Sequence, residues 1–154
     1  MSDKAGIGAP VDGSVQPTTG NILYVEDDPD TRSVLACVLS QAGFHITAAQ
    51  DMANALSLAA ARKFDLYLLD HVLPGGSGFD LCRILRESYP NTPIVFFSAS
   101  AYPEDKEEGI RAGANEYLIK PVDIVHVSDT ATRLISHSKL TASESALNTA
   151  QRYR

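Results

Sequence analysis

The run Phe64-Asp65-Leu66-Tyr67-Leu68-Leu69-Asp70 constrains this chain more than any other stretch. It carries no polar stripe between Leu66 and Leu69, so it reads as a strand buried on both faces, of the kind found in the middle of a parallel sheet. It then stops on a carboxylate and passes into His71-Val72-Leu73-Pro74-Gly75-Gly76-Ser77-Gly78. Asp70 therefore marks the C-terminal end of a central strand, where ligands of open α/β sheets bind.

The rest of the chain repeats one unit around that strand. Residues Met1 to Gly20 are rich in Gly, Pro, Ser and Thr and read as a disordered arm. Asn21 to Glu26 is a second apolar run that ends in acids, Glu26, Asp27 and Asp28, and Asp28-Pro29 opens a helix with Val34, Leu35, Val38, Leu39 and Ala42 on its apolar face. Phe44 to Ala49 is a strand, Met52 to Lys63 a helix capped by Asp51, and Phe79 to Ser88 a helix after the glycine-rich loop. Ile94 to Phe97 forms the fourth strand and ends on Ser98; a short helix opens at Pro103 and stops at Gly113. Glu116 to Ile119 is the fifth strand, ending on Lys120-Pro121, and Val122 to about His137 is the fifth helix.

Regular alternation of this kind predicts an α/β fold, a doubly wound (βα)5 of flavodoxin-like strand order 2-1-3-4-5 with helices on both faces. The predicted domain is 21–138, with 139–154 a tail that either extends the last helix or frays. A net charge of −6 argues against a nucleic-acid or anionic-membrane surface. Nothing resembles a secretory signal or an apolar span of ~18 residues, so the expected location is cytoplasmic, without membrane insertion. Cys37 and Cys82 form no metal-spaced or redox pair and read as inert, largely buried thiols.

In the predicted strand order Glu26 and Asp27 converge with Asp70, flanked by Ser98 and Lys120. Carboxylates brought that close repel each other unless a cation neutralises them, and oxygen-only donors open to water suit Mg²⁺, for which Mn²⁺ can substitute. Lys120 and Ser98 suit phosphoryl oxygens, and Asp70 between them is a candidate nucleophile. Those parts describe phosphoryl transfer to a carboxylate.

At these residues the sequence resembles the receiver domain of two-component response regulators, of the single-domain, chemotaxis-regulator type. The motifs are Val25-Glu26-Asp27-Asp28, Leu69-Asp70 with Pro74 and Gly78, Phe97-Ser98-Ala99, Ala112-Gly113-Ala114 and Tyr117-Leu118-Ile119-Lys120-Pro121, spread over about Asn21 to Ser138. The resemblance implies a phosphorylation-dependent switch in which Asp70 accepts a phosphoryl group from a phosphohistidine of a sensor kinase or phosphotransfer protein. It further implies Mg²⁺ held by Asp27, Asp70 and the Val72 carbonyl, with Glu26 acting through water. Lys120 and Ser98 would engage the phosphoryl group, Ala99 would leave access to it, Tyr117 would turn inward, and Pro121 would follow a cis peptide. The fourth helix, fifth strand and fifth helix would present the altered surface to a protein partner, with no direct nucleic-acid contact and room for a homodimer. Val72, without a polar side chain two residues after the acceptor, implies slow self-dephosphorylation.

Two other classes compete. A phosphate-independent pseudo-receiver would have lost an acid, the hydroxyl or the lysine, and none is missing. An aspartyl-nucleophile phosphatase would carry a second aspartate where Val72 stands. The chain therefore reads as a stand-alone signalling receiver rather than an enzyme, its chemistry limited to its own phosphorylation and dephosphorylation. His71 neighbours Asp70, but strand alternation assigns it to packing or the surface.

Overall fold

A computed structural model describes residues 19–153; of the expected arm, Met1 to Gly20, all but the last two residues lie outside the described residues. Thr19 and Gly20 belong to the sheet, since Thr19 N–H donates to the Gly43 carbonyl at 2.9 Å and β1 runs Gly20–Val25. The apolar runs form the remaining strands of one parallel sheet: β2 Phe44–Ala49, β3 Leu66–Leu69, β4 Ile94–Ser98 and β5 Glu116–Ile119, in the order β2-β1-β3-β4-β5. This is the flavodoxin-like order the alternation predicts.

Strand periodicity sends alternate side chains to two separate cores. Leu23, Val25, Leu69 and Phe96 pack against helices α2 (Met52–Ala61), α3 (Gly78–Ser88) and α4 (Pro103–Ala112) through Ala55, Leu81, Leu85 and Ala112. Ile22, Tyr24, Leu68 and Phe97 pack against α1 (Pro29–Gln41) and α5 (Val127–Arg152) through Leu35, Leu39, Val127, Ala131 and Ile135. Both faces of the sheet are thus covered, which is what allows β3 to be apolar throughout.

Side-chain caps start three of the helices: Asp28 accepts from Thr31 N–H at 2.9 Å, Asp51 from Asn54 N–H at 2.7 Å and Ser77 from Asp80 N–H at 3.1 Å. The loop after Asp70 contains a two-residue antiparallel ladder that pairs Val72–Leu73 with Gly76–Ser77. Gly109 does more than weaken α4, because a Cβ there would meet Tyr117 at 3.0 Å and Phe96 at 3.1 Å; its absence lets the helix lie close on the sheet.

Several boundaries and burials differ from expectation. The fifth helical segment begins as a 3₁₀ turn, Val122–His126, and α5 then continues to Arg152, so the tail is a helical extension with residues 139–152 exposed. Nothing between Ser138 and Arg152 is Gly or Pro, and no residue there stops the helix. Cys82 is buried as expected, but Cys37 is exposed, and so is Val34 at 56%. At 100° per residue Cys37 points away from the face that buries Leu35 and Leu39, whatever its apolar neighbours. Among the described residues no helix is long and apolar enough to cross a membrane.

Candidate functional site

The parallel pairing continues one residue past β1, β3 and β5, and that step assembles the site. Val25 lies opposite both Ala49 and Leu69. The next amides extend the pairing, with Glu26 N–H donating to Ala49 O at 3.0 Å and Asp70 N–H to Val25 O at 3.0 Å. On the far side Lys120 N–H donates to Ser98 O at 2.8 Å. Glu26, Asp70, Ser98 and Lys120 are therefore fixed at one end of the sheet by backbone hydrogen bonds, independently of any attraction between their side chains.

Carboxylate oxygens of Glu26, Asp27 and Asp70 lie within 4.8 Å of one another. Asp27 is exposed, whereas Glu26 and Asp70 are 1% and 8% exposed. Lys120 answers the two buried acids: its ammonium pairs with Glu26 Oε2 and donates to Asp70 Oδ2 at 3.2 Å. The Lys120 ammonium lies over the Phe97 ring, 5.7 Å from its centroid, and the following Lys120–Pro121 peptide is cis. Ile119 N–H, just before it, is held by Asp123 Oδ2 at 2.8 Å.

Glu26 is tied down from several sides. Tyr24 O–H donates to its Oε2 at 3.4 Å, Asp28 N–H to its Oε1 at 3.2 Å, and the Arg32 guanidinium to its carbonyl at 2.8 Å. Burial pushes the Glu26 carboxyl up from its ordinary range, the Lys120 ammonium opposes that rise, and Asp70 adds to it. The Tyr24 hydroxyl is pushed up as well, by burial first and by the charges of Glu26 and Asp70 after it. An all-oxygen donor set of three carboxylates served by one ammonium fits a hard divalent cation such as Mg²⁺.

The Ser98 and Tyr117 hydroxyls find their hydrogen-bond partners outside the three acids. Ser98 is 1% exposed, and its Oγ accepts from Ser100 N–H at 3.3 Å and lies 2.6 Å from His71 Nδ1. Tyr117, half-buried, stacks on Phe96 at 5.6 Å and donates its O–H to the Ser100 carbonyl at 3.0 Å, so it is not in the acid cluster. Burial pushes its hydroxyl up. Ala99 is exposed, and Val72, 61% exposed, directs its N–H toward Asp70 Oδ1 at 3.5 Å.

His71 packs, as expected, yet it also reaches a site hydroxyl, which strand alternation does not foresee. β3 ends at Leu69, so alternation no longer governs the second residue beyond it. The imidazole folds back over Phe79, 5.3 Å between centroids, and reaches Ser98 from there. Gly78, read as a loop glycine, sits where its N–H donates to His71 O at 2.7 Å and where a Cβ would lie 1.9 Å from the Asp70 carbonyl. No local pattern announces Tyr24 or Arg32; a tyrosine and an arginine beside an acidic turn are the only hint. His45, His126 and His137 belong to no acidic or metal-ligand cluster among the described residues. Beside Lys120 a cavity of about 370 Å³ is lined by the exposed Val34 with Leu35, Phe97, Ala99, Pro121 and Ile124.

The family profile described as "Response regulator receiver domain" matches residues 22–132. The chain is 35% identical over 115 residues to the response regulator protein PilR of Pseudomonas aeruginosa, covering 73% of this chain and 26% of PilR. It is 32% identical over 130 residues to the probable transcriptional regulatory protein TcrX of Mycobacterium tuberculosis, 84% of this chain and 55% of TcrX. Among solved structures, NtrX from Brucella abortus in complex with ATP superposes with a TM-score of 0.78 at 30% identity, covering 84% of this chain and 30% of that one. The chemotaxis protein CheY4 of Vibrio cholerae gives 0.69 at 30% identity, covering 74% and 97%. The chain spans from about a quarter to a little over half the length of the curated relatives just named.

Proposed function

The chain belongs to the response regulator receiver domain family of two-component signalling, and from that premise we propose that Asp70 is its phosphoryl acceptor. In the proposed step a carboxylate oxygen of Asp70 attacks the phosphorus of a phosphohistidine on a sensor kinase or phosphotransfer protein. An O–P bond forms, the N–P bond breaks, and the imidazole leaves with the electron pair and takes a proton from solvent. The observation that supports this reading is the placement of Asp70: a strand-end carboxylate beside Glu26 and Asp27 on one side and Lys120 on the other.

The Mg²⁺ implied by the family would be held by Asp27, Asp70 and the Val72 carbonyl, with Glu26 acting through water. When bound it supplies charge neutralisation for the attacking and transferring oxygens. The chain's own groups do the rest. Lys120 orients Asp70 and then engages the phosphoryl group, Ser98 turns its hydroxyl to the same group, and Ala99 leaves the approach open. Tyr117 follows Ser98 inward, and the surface of α4, β5 and α5 carries the change to a protein partner. Residues 21–138 form the proposed switching unit, and its only catalysis is of its own phosphorylation and dephosphorylation.

Intact-mass measurement after incubation with Mg²⁺ and acetyl phosphate tests the assignment. Wild type gains one phosphoryl group and Asp70→Asn gains none; equal gain in both proteins, or gain in neither, refutes it. The exposed, apolar Val72 offers no group to steer an attacking water, so the phosphoryl group once gained lasts minutes or longer, and a lifetime of seconds in Mg²⁺ contradicts that part of the proposal.

A further inference from the structure

His71 is the one side chain next to the acceptor that the proposed cycle leaves without a task. Its Nδ1 lies 2.6 Å from Ser98 Oγ but 4.0 Å from Asp70 Oδ1, so the imidazole is bonded to the hydroxyl and not to the carboxylate. Ser98 Oγ also accepts from Ser100 N–H, so the hydroxyl is held by one backbone amide and by the imidazole together. The ring is clamped in that pose by Phe79, itself stacked on Phe96 at 5.4 Å, and by the short bond from Gly78 N–H to the His71 carbonyl. A buried serine hydroxyl beside the acceptor is thus engaged by a positioned imidazole.

We propose that His71 is a positioning residue that holds Ser98 in the unswitched pose and competes with the phosphoryl group for its hydroxyl. The inference rests on the reading of Asp70 as acceptor and adds a determinant of the switching equilibrium. Ser98 cannot turn to a phosphoryl oxygen without giving up Nδ1, so the free energy of that one hydrogen bond opposes the switched state. A buried hydrogen bond of this kind has a net effect of about three- to tenfold on an equilibrium.

The probe is beryllofluoride in Mg²⁺, a phosphoryl mimic that binds the acceptor carboxylate, with its apparent affinity measured by calorimetry. His71→Leu, which fills the space against Phe79 but accepts no hydrogen bond, tightens beryllofluoride binding by about three- to tenfold. His71→Asn places an amide group where Nδ1 stands and restores the wild-type affinity. In a Ser98→Ala background the His71→Leu change has no effect, because the hydroxyl it releases is gone. Unchanged or weakened binding in His71→Leu, or a His71 effect that persists without the Ser98 hydroxyl, overturns the inference while Asp70 still gains mass from acetyl phosphate. Absence of any phosphoryl gain overturns the reading of Asp70 and this inference with it.

Discussion

Replacing Gly78 by alanine tests how rigidly the site is built, because three glycines in one loop differ in what a methyl group would meet. At Gly78 an added Cβ would stand 1.9 Å from the Asp70 carbonyl oxygen, 2.7 Å from His71 Cα and 2.8 Å from the Asp70 carbonyl carbon. Non-bonded carbon atoms want about 3.5 Å or more, and the obstacle is backbone, which cannot rotate aside as a side chain can. Either α3 retreats or the Asp70–His71 peptide moves, and Asp70 is anchored just before that peptide by the bond from its N–H to Val25 O. Overpacking costs about 1–3 kcal/mol, and a clash with backbone on both residues belongs at about 3 kcal/mol. A displacement of about 1 Å at a reacting group lowers rate on the order of 100-fold, so phosphoryl gain at Asp70 slows by that factor. Gly75 has φ +77° with open space around it, so Gly75→Ala costs only backbone strain, about 1–2 kcal/mol, and leaves phosphorylation unchanged. Gly76→Ala meets only the flexible Met52 sulfur at 3.0 Å and stays within about 0.5 kcal/mol of wild type. Urea unfolding with constant m-value gives the stabilities, and mass spectrometry gives the rates. A Gly78→Ala protein no less stable than Gly75→Ala and phosphorylated at the wild-type rate would refute the argument that this close approach positions Asp70.

Lys120→Met leaves Glu26 and Asp70 without their cation, so without Mg²⁺ the variant loses about 3 kcal/mol, and saturating Mg²⁺ returns most of it; a loss that Mg²⁺ does not change counts against a cation site. Maleimide labelling at pH 7 modifies the exposed Cys37 quickly and Cys82 only as fast as the chain unfolds, since burial pushes the Cys82 thiol up to about 11; rapid double labelling contradicts the packing of α3. Deleting residues 140–154 takes away the exposed end of α5 and lowers Tm by about 2 °C or less, as a helical stretch that buries no side chain is itself marginal; a large drop means that the extension covers something the receiver needs.

The sequence spoke clearly wherever one element decided the outcome. Leu66 to Leu69 has no polar face, so a central strand was the only economical reading, and the acids at its end and at Glu26 mark where chain direction and ligand site coincide. It spoke less clearly where two elements meet. Whether His71 faces Ser98 depends on how the chain leaves β3 and how α3 presents Phe79, neither of which residue alternation encodes. Gly78 and Gly109 look alike in sequence to any loop or helix-weakening glycine, and only the approach of Asp70 to one and of Phe96 and Tyr117 to the other shows why a side chain is excluded. Cys37 was legible in principle: counting its helical angle from Leu35 and Leu39 places it outward, whereas judging it by apolar neighbours does not.

The charges at the strand ends give the proposed cycle an order. Three carboxylates against one ammonium leave a formal charge of −2, the complement of one divalent cation. Lys120 is shared between Glu26 and Asp70; a divalent cation held by the acids would supply part of that neutralisation, and Lys120 would then serve whatever Asp70 carries. A phosphoryl group brings about −1.5 to −2 in place of the single carboxylate charge, more than the cation alone offsets. In that cycle the surplus falls on Lys120, already within 3.2 Å of Asp70, and on Ser98, whose hydroxyl is engaged by His71. Lys120 changes partner without leaving its place, whereas Ser98 must break a bond and turn. In the proposed cycle the conformational part of the signal therefore belongs to the serine, and its threshold to the imidazole that holds it.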